Sequence, residues 1–181
     1  GTASADVNMD TEKPEKLNLD ELTFGVHKIT KADDFSMEWQ RGKFVVYCSG
    51  NDVRLGAHLT NGKDVTSHAR LLQHLRIRCG WDGIASGYYL EPLEDKSGLI
   101  LGGGDISLSK DLRTVVLSDR SVDYGALPED VLQRLAPETL KACREHFPSL
   151  EEVTVQVHRA AQWAYLVRHQ GCVYKIHEVG R

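Results

Sequence analysis

A run of three glycines, Gly102 to Gly104, directly follows the apolar segment Leu99-Ile100-Leu101. Apolar residues bounded by turn residues are typical of a β-strand, and glycines carry no side chain that could continue its packing. We therefore expect a strand that ends at Leu101, with a bend or a close backbone contact at the glycines. Any fold of this chain must place another group against that bare backbone.

Other segments rich in β-branched and aromatic residues also predict strands, at 43–48, 88–90 and 114–117, and residues 153–157 alternate apolar and polar side chains. The polar stretch 49–64 between the first of these and the next helix is expected to be a loop. Near the end of the chain, segments 162–167 and 172–176 flank Gly171 and predict a terminal β-hairpin.

Two helices are expected among these strands. Thr66 or Ser67 can cap the first helix, and Gly80 would end it. Its apolar positions share one face: Leu71, Leu72, Leu75 and Cys79. The second helix opens with Pro128 at its first position, restarts at Pro137 and is stopped by Pro148. The fold class is therefore α/β (α+β): a single mixed sheet flanked by two main helices, with an N-terminal arm and a C-terminal hairpin extension.

Composition limits the classes of protein to consider. With 181 residues, of which 41% are hydrophobic, the chain can bury one sizeable core but not two. The net charge of -4 does not indicate binding to nucleic acid, and no apolar run approaches the ~20 residues of a membrane span. The four cysteines form no C-x-x-C pair, and no histidine stands at a metal-ligand spacing. We expect neither a metal site nor a disulfide framework.

The location of the protein is expected to be intracellular, in a reducing compartment, either cytoplasmic or mitochondrial. The chain begins Gly1-Thr2-Ala3 without an initiator Met, which indicates removal of a presequence or of an expression tag. Residues 6–21 are charged and poor in aromatic side chains, so we expect the first 20 or so to be flexible.

Four motifs occur in a particular order along the chain. Ser67-His68-Ala69 opens a helix, Leu-Gly-Gly-Gly-x-Ile-Ser occupies 101–107, Ser121-x-x-Tyr-Gly follows, and a helix ends His-Phe-Pro at 146–148. This set resembles the janus/ocnus family, the phosphohistidine phosphatases. The resemblance covers about 43–157, so that segment is interpreted as one phosphatase-like domain between two extensions, 1–42 and 158–181.

The resemblance implies a function and a set of site residues. A histidine at the position of His68 would remove phosphate from a protein phosphohistidine without a metal or other cofactor, as a general base or as a nucleophile. The phosphate would be bound by Lys43 and Ser121, and by backbone N–H groups at the helix start and around Ser121. The complete set of expected phosphate-binding residues is Lys43, Ser67, Ala69, Ser121, Val122 and Asp123, with Gly102, Gly103 and Gly104 as a structural run.

Two acidic residues depart from the family pattern. The position after the glycine run, typically arginine in the family, is Asp105, and the typically small position two after Ser121 is Asp123. Negative charges near a phosphate oppose its binding and favour a charged, non-basic imidazole at His68.

Two hypotheses from different classes therefore follow. The chain is an active protein-histidine phosphatase acting on a phosphorylated protein. Alternatively, it is a catalytically degenerate phosphatase-fold module, a structural subunit of a larger, for example mitochondrial, assembly. In that case the N-terminal arm and the C-terminal hairpin would contact its protein partners.

Overall fold

The computed structural model describes residues 14–33, 35, 41–60, 67–77, 99–120, 124, 126–157, 164–169 and 171–177. Within these ranges the chain forms nine strands, two α-helices and a short 3₁₀ helix at Leu19–Glu21. In chain order the elements are β1 (Glu15–Lys16), β2 (Thr23–Lys31), β3 (Arg41–Ser49), β4 (Asp52–Thr60), α1 (His68–Leu75), β5 (Leu99–Leu108), β6 (Thr114–Ser118), α2 (Glu129–Cys143), β7 (Glu152–Gln156), β8 (Ala164–His169) and β9 (Cys172–His177).

The strands form two sheets. Six strands make a mixed sheet in the order β2-β4-β3-β5-β6-β7, in which β2 is parallel to β4 and β6 is parallel to β7. The other three form an antiparallel sheet in the order β1-β8-β9. The predicted α+β class and the terminal hairpin are confirmed, and the hairpin is part of this second sheet.

Both faces of the six-stranded sheet are covered by a helix. On β3, Phe44 and Val46 pack in the core that contains α2, whereas Val45 and Tyr47 pack with Leu71 of α1. This alternation follows from the two-residue period of a strand. Burying each large apolar side chain contributes about 1.5–3 kcal/mol, so the two helices are held mainly by packing. The α1 face of the sheet carries the candidate site.

Strand β4 corrects one expectation. Segment 49–64 was interpreted as a polar loop, but Asp52–Thr60 is a central strand of the sheet. The residues Val53, Leu55, Ala57 and Leu59 are all fully buried. Their spacing is an alternating pattern that the interspersed polar residues concealed. The predicted strand at 88–90 lies outside the described residues.

The glycine run also differs from the expectation. Strand β5 does not end at Leu101 but continues through all three glycines to Leu108. Gly104 pairs with Phe44, Gly103 with Val45 and Gly102 with Val46. The backbone hydrogen bonds of the flanking strand hold the glycines in extended conformation, although they contribute no side-chain packing.

Both helices differ from the expectation based on the sequence: α1 in where it ends, and α2 in the course of its interior. Helix α1 ends at Leu75 rather than near Gly80, because Arg76 adopts a left-handed conformation with φ 57° and ψ 40°. Helix α2 continues through Pro137 instead of restarting there. Buried Leu135 and Cys143 on either side of Pro137 lie in the same core, and their packing offsets the hydrogen bond that proline cannot make.

Candidate functional site

His68 is the first residue of α1, and its side chain lies over the glycine run. Ser67 is the N-cap, and its Oγ accepts a hydrogen bond of 3.2 Å from the Arg70 N–H. His68 as a residue is 3% exposed. A Cβ added at Gly103 would lie 2.9 Å from His68 Cδ2. A side chain at position 103 would therefore displace the imidazole, which explains the need for glycine there.

The His68 ring is hydrogen-bonded to the sheet and packs against an aromatic ring. Its Nε2 lies 3.1 Å from the carbonyl oxygen of Gly104. Because a carbonyl oxygen can only accept, Nε2 carries the proton of this bond. In the neutral ring the lone pair is then on Nδ1. The Tyr124 ring packs edge-on against His68, with 5.3 Å between ring centroids. The imidazole is thus fixed in one orientation and one tautomer.

Lys43 lies on the same face of the sheet as the His68 ring. Its neighbour Val45 is the partner of Gly103, over which His68 packs, and residues two apart on a strand point to the same side. Two residues along an extended strand span about 7 Å. The sheet therefore brings Lys43 and His68 to adjacent positions on one surface.

Asp105 is the cross-strand partner of Lys43 and shares that surface. The Lys43 Nζ lies 3.6 Å from the Asp105 Oδ1, with the two side chains 28% and 49% exposed. An exposed pair of this kind contributes only ~0–1 kcal/mol to stability. Its effect on an incoming anion is larger, because the carboxylate neutralises the charge that Lys43 would offer to it. The Asp105 carboxylate therefore lies on the same face as the candidate site.

A row of polar side chains that includes Lys43 and Asp105 crosses all six strands of the sheet. Successive cross-strand partners supply one residue from each of the six strands: Thr30, His58, Lys43, Asp105, Ser118 and Gln156. Only Lys43 and Asp105 of this row were singled out from the sequence. The other members are separated along the chain by up to 126 residues, so that strand register alone aligns them.

The imidazole of His58, a member of this row, lies against a second imidazole, that of His74 on α1. Thr30 Oγ1 is 2.6 Å from His58 Nδ1 and 3.1 Å from His74 Nε2. The two rings pack at 4.2 Å between centroids. His58 is buried, and it is the cross-strand neighbour of Lys43. His58 is therefore a buried polar neighbour of the candidate phosphate ligand.

The remaining expected phosphate ligands divide into two groups. Ser67 and Ala69 lie on either side of His68 at the start of α1, where backbone N–H groups lack helical acceptors. Ser121, Val122 and Asp123 lie outside the described residues. Among the described site residues, the fold brings together His68, Ser67, Ala69, Lys43 and the glycine run.

Two general features of the described part complete the picture. No group of three or more His, Cys, Asp or Glu side chains there is arranged to hold a metal ion. None of the helices in those ranges has the length and apolar character needed to cross a membrane.

No protein-family model and no curated protein matches this chain.

Proposed function

We propose that this chain is a phosphohistidine phosphatase-like protein in which His68 is the reacting group. The observation that carries the proposal is the hydrogen bond between His68 Nε2 and the Gly104 carbonyl, on the face shared with Lys43. A neutral histidine with its Nε2 proton bound in this way carries its lone pair on Nδ1, and a general base or nucleophile needs such an unprotonated nitrogen.

Two reaction routes are open to that nitrogen. As a general base, Nδ1 takes a proton from water while the water oxygen bonds to phosphorus and the P–N bond of the phosphohistidine breaks. As a nucleophile, Nδ1 itself bonds to phosphorus while the same P–N bond breaks, and water later releases phosphate. In both routes the leaving imidazole takes up a proton.

Charged and polar groups beside His68 would bind the phosphoryl oxygens. Lys43 supplies the positive charge, and the N–H groups at the start of α1 supply hydrogen-bond donors. Asp105 competes for the same lysine, so a modest affinity for phosphate is expected. The substrate is then a phosphorylated protein, whose wider contacts contribute the rest of the binding.

A second candidate function is favoured by the Lys43–Asp105 ion pair. If this pair persists in solution, the site lacks the net positive charge that attracts a phosphate dianion. The chain would then be a non-catalytic module, and a structural subunit of a larger assembly. In that role the sheet formed by β1 and the C-terminal hairpin, which is separate from the six-stranded sheet, offers a surface for protein partners.

Hydrolysis of a phosphohistidine substrate by the purified chain tests the first function. We expect His68→Ala to lower the rate by about 10²-fold or more. Gln73→Ala is the matched control, because it removes an exposed polar side chain from the same helix and is expected to keep the rate within about threefold. Thermal melting of both variants establishes that each is folded. Equal rates for wild type and His68→Ala would end the enzymatic proposal.

The size of the native species tests the second function. A structural subunit should elute from native extract at a mass far above the 20.2 kDa of the chain. Elution only as the monomer, together with hydrolysis that depends on His68, would exclude it.

A further inference from the structure

Lys175 is a buried lysine in the C-terminal hairpin. Lys175 lies on β9 and is 1% exposed. Its Nζ donates a hydrogen bond of 2.7 Å to the carbonyl oxygen of Tyr124. Lysine is almost never fully buried, because moving an ammonium out of water costs several kcal/mol. Its neighbours Val173 and Tyr174 are buried apolar residues. The fold thus buries an ammonium group, with its desolvation cost, at a position where an apolar side chain would pack.

The partner of Lys175 is the residue whose ring contacts His68. Tyr124 is fully buried, and its ring lies in the small core formed with Val45, Leu71 and Ile100 on the α1 face. The same ring packs edge-on against His68. One continuous chain of contacts therefore runs from Lys175 through Tyr124 to the imidazole.

The hairpin itself is anchored to the main sheet near this point. Val167 of β8 and Tyr174 of β9 pack against Leu99, the first residue of β5. On the opposite side, β1 pairs with β8, and the Leu17 N–H donates to the Leu166 carbonyl oxygen at 2.9 Å. Lys175 therefore lies on a strand that is packed against the main sheet, and its hydrogen bond ties the Tyr124 backbone to that strand.

We infer that Lys175 is a positioning residue for His68: its hydrogen bond to the Tyr124 carbonyl holds the Tyr124 ring against the imidazole. The C-terminal hairpin is in this way a component of the site. The expected effect on the reaction rate rests on the proposed phosphatase function. The expected effect on the orientation and tautomer of His68 can be tested without that function.

Replacing Lys175 by methionine tests the inference, because methionine keeps an unbranched apolar side chain and removes the donor. In wild type, nitrogen NMR of labelled protein is expected to show the Nε2–H tautomer of His68. In Lys175→Met we expect a mixture of tautomers, because the Tyr124 ring no longer holds the imidazole. We also expect kcat to fall about tenfold, because the imidazole is less often held in its reacting orientation. Lys175→Arg, which retains a cationic donor, should restore the wild-type tautomer.

A matched control is Lys16→Met, which removes an exposed lysine from β1 in the same small sheet. We expect it to leave the His68 signals and kcat unchanged. If Lys175→Met is folded and its His68 tautomer equals that of wild type, the inference is overturned. If wild type shows no hydrolysis but Lys175→Met alters the tautomer, the phosphatase function fails and the positioning role stands.

Tyr124→Leu examines the other end of the same chain of contacts, and it decides the matter if the Lys175 variants do not fold. This change keeps the backbone carbonyl that Lys175 binds and removes the ring beside His68. We expect the same loss of a single tautomer, whereas His68 signals identical to those of wild type would refute the inference.

Discussion

Lys43 and Asp105 face each other across β3 and β5, with 3.6 Å between the ammonium nitrogen and the nearer carboxylate oxygen. In a site that binds phosphate, this carboxylate has two opposing effects. It holds the lysine side chain beside His68, and it cancels the lysine charge.

Removing the charge of Asp105 should strengthen phosphate binding. Two charges about 4 Å apart interact by ~1 kcal/mol in water, so we expect Asp105→Asn to raise the affinity for inorganic phosphate about fivefold. Asp105→Arg should raise it further, because it adds a cation. Titration with phosphate, followed by NMR shifts of the His68 ring, measures the change.

The control for this charge effect is Asp52→Asn. Asp52 forms a similar exposed ion pair with Arg54, at 3.4 Å, and the change in net charge is identical. It should leave phosphate affinity unchanged. Equal gains from both substitutions would mean that the effect is one of overall charge and that Asp105 does not face the site.

Gly103→Ala should disrupt the site and the sheet together. The new Cβ would lie 2.9 Å from both the His68 ring and the Phe44 carbonyl oxygen, and the latter is backbone that cannot move aside. We expect a loss of about 1–3 kcal/mol in the free energy of unfolding by urea, with displaced His68 signals. Gly25→Ala is the control, since nothing lies within 4 Å of its added Cβ, and it should not destabilise the protein. A neutral Gly103→Ala would contradict the close contact.

Arg76→Gly should stabilise the protein. Arg76 has φ 57° at the end of α1, a conformation that costs a non-glycine residue about 1–2 kcal/mol. We expect a gain of about 1 kcal/mol in urea unfolding. At the end of α2, Arg144 has φ -65°, so Arg144→Gly offers no such relief and should be neutral or destabilising. The same sign of effect at both helix ends would argue against the left-handed cap.

The stability of the fold should fall at alkaline pH because of Cys143. Burial raises the pKa of its thiol from 9.0 to about 12. Below pH 9 both folded and unfolded thiols are protonated, and this group adds no pH dependence. Above pH 9 only the unfolded thiol ionises, which favours unfolding by about 1.4 kcal/mol between pH 8 and pH 10. Chemical unfolding at the two pH values should show that difference in wild type, and a correspondingly smaller pH dependence in Cys143→Ala. An equal pH dependence in both proteins would contradict the buried thiol.

Local sequence patterns correctly predicted those helices and strands that depend on residues close together in the chain. Ser67 is the cap of a helix as its side chain indicated, and the β-branched segment at 114–117 is the core of β6. The period-two pattern of β4 was present in the sequence but masked by polar neighbours. The helix end at Arg76 had no signal, because arginine is not a residue that favours left-handed backbone.

What the sequence by itself determined is the α+β class, the capped start of α1 at His68 and the bare backbone of the glycine run. Each of these depends on contacts between residues close in the chain. The tertiary structure alone decided that Gly103 receives the His68 ring, that Asp105 faces Lys43, and that Lys175 reaches Tyr124. These pairs are separated by 35 to 62 residues, and strand register and packing of the hairpin, not local preference, bring them together.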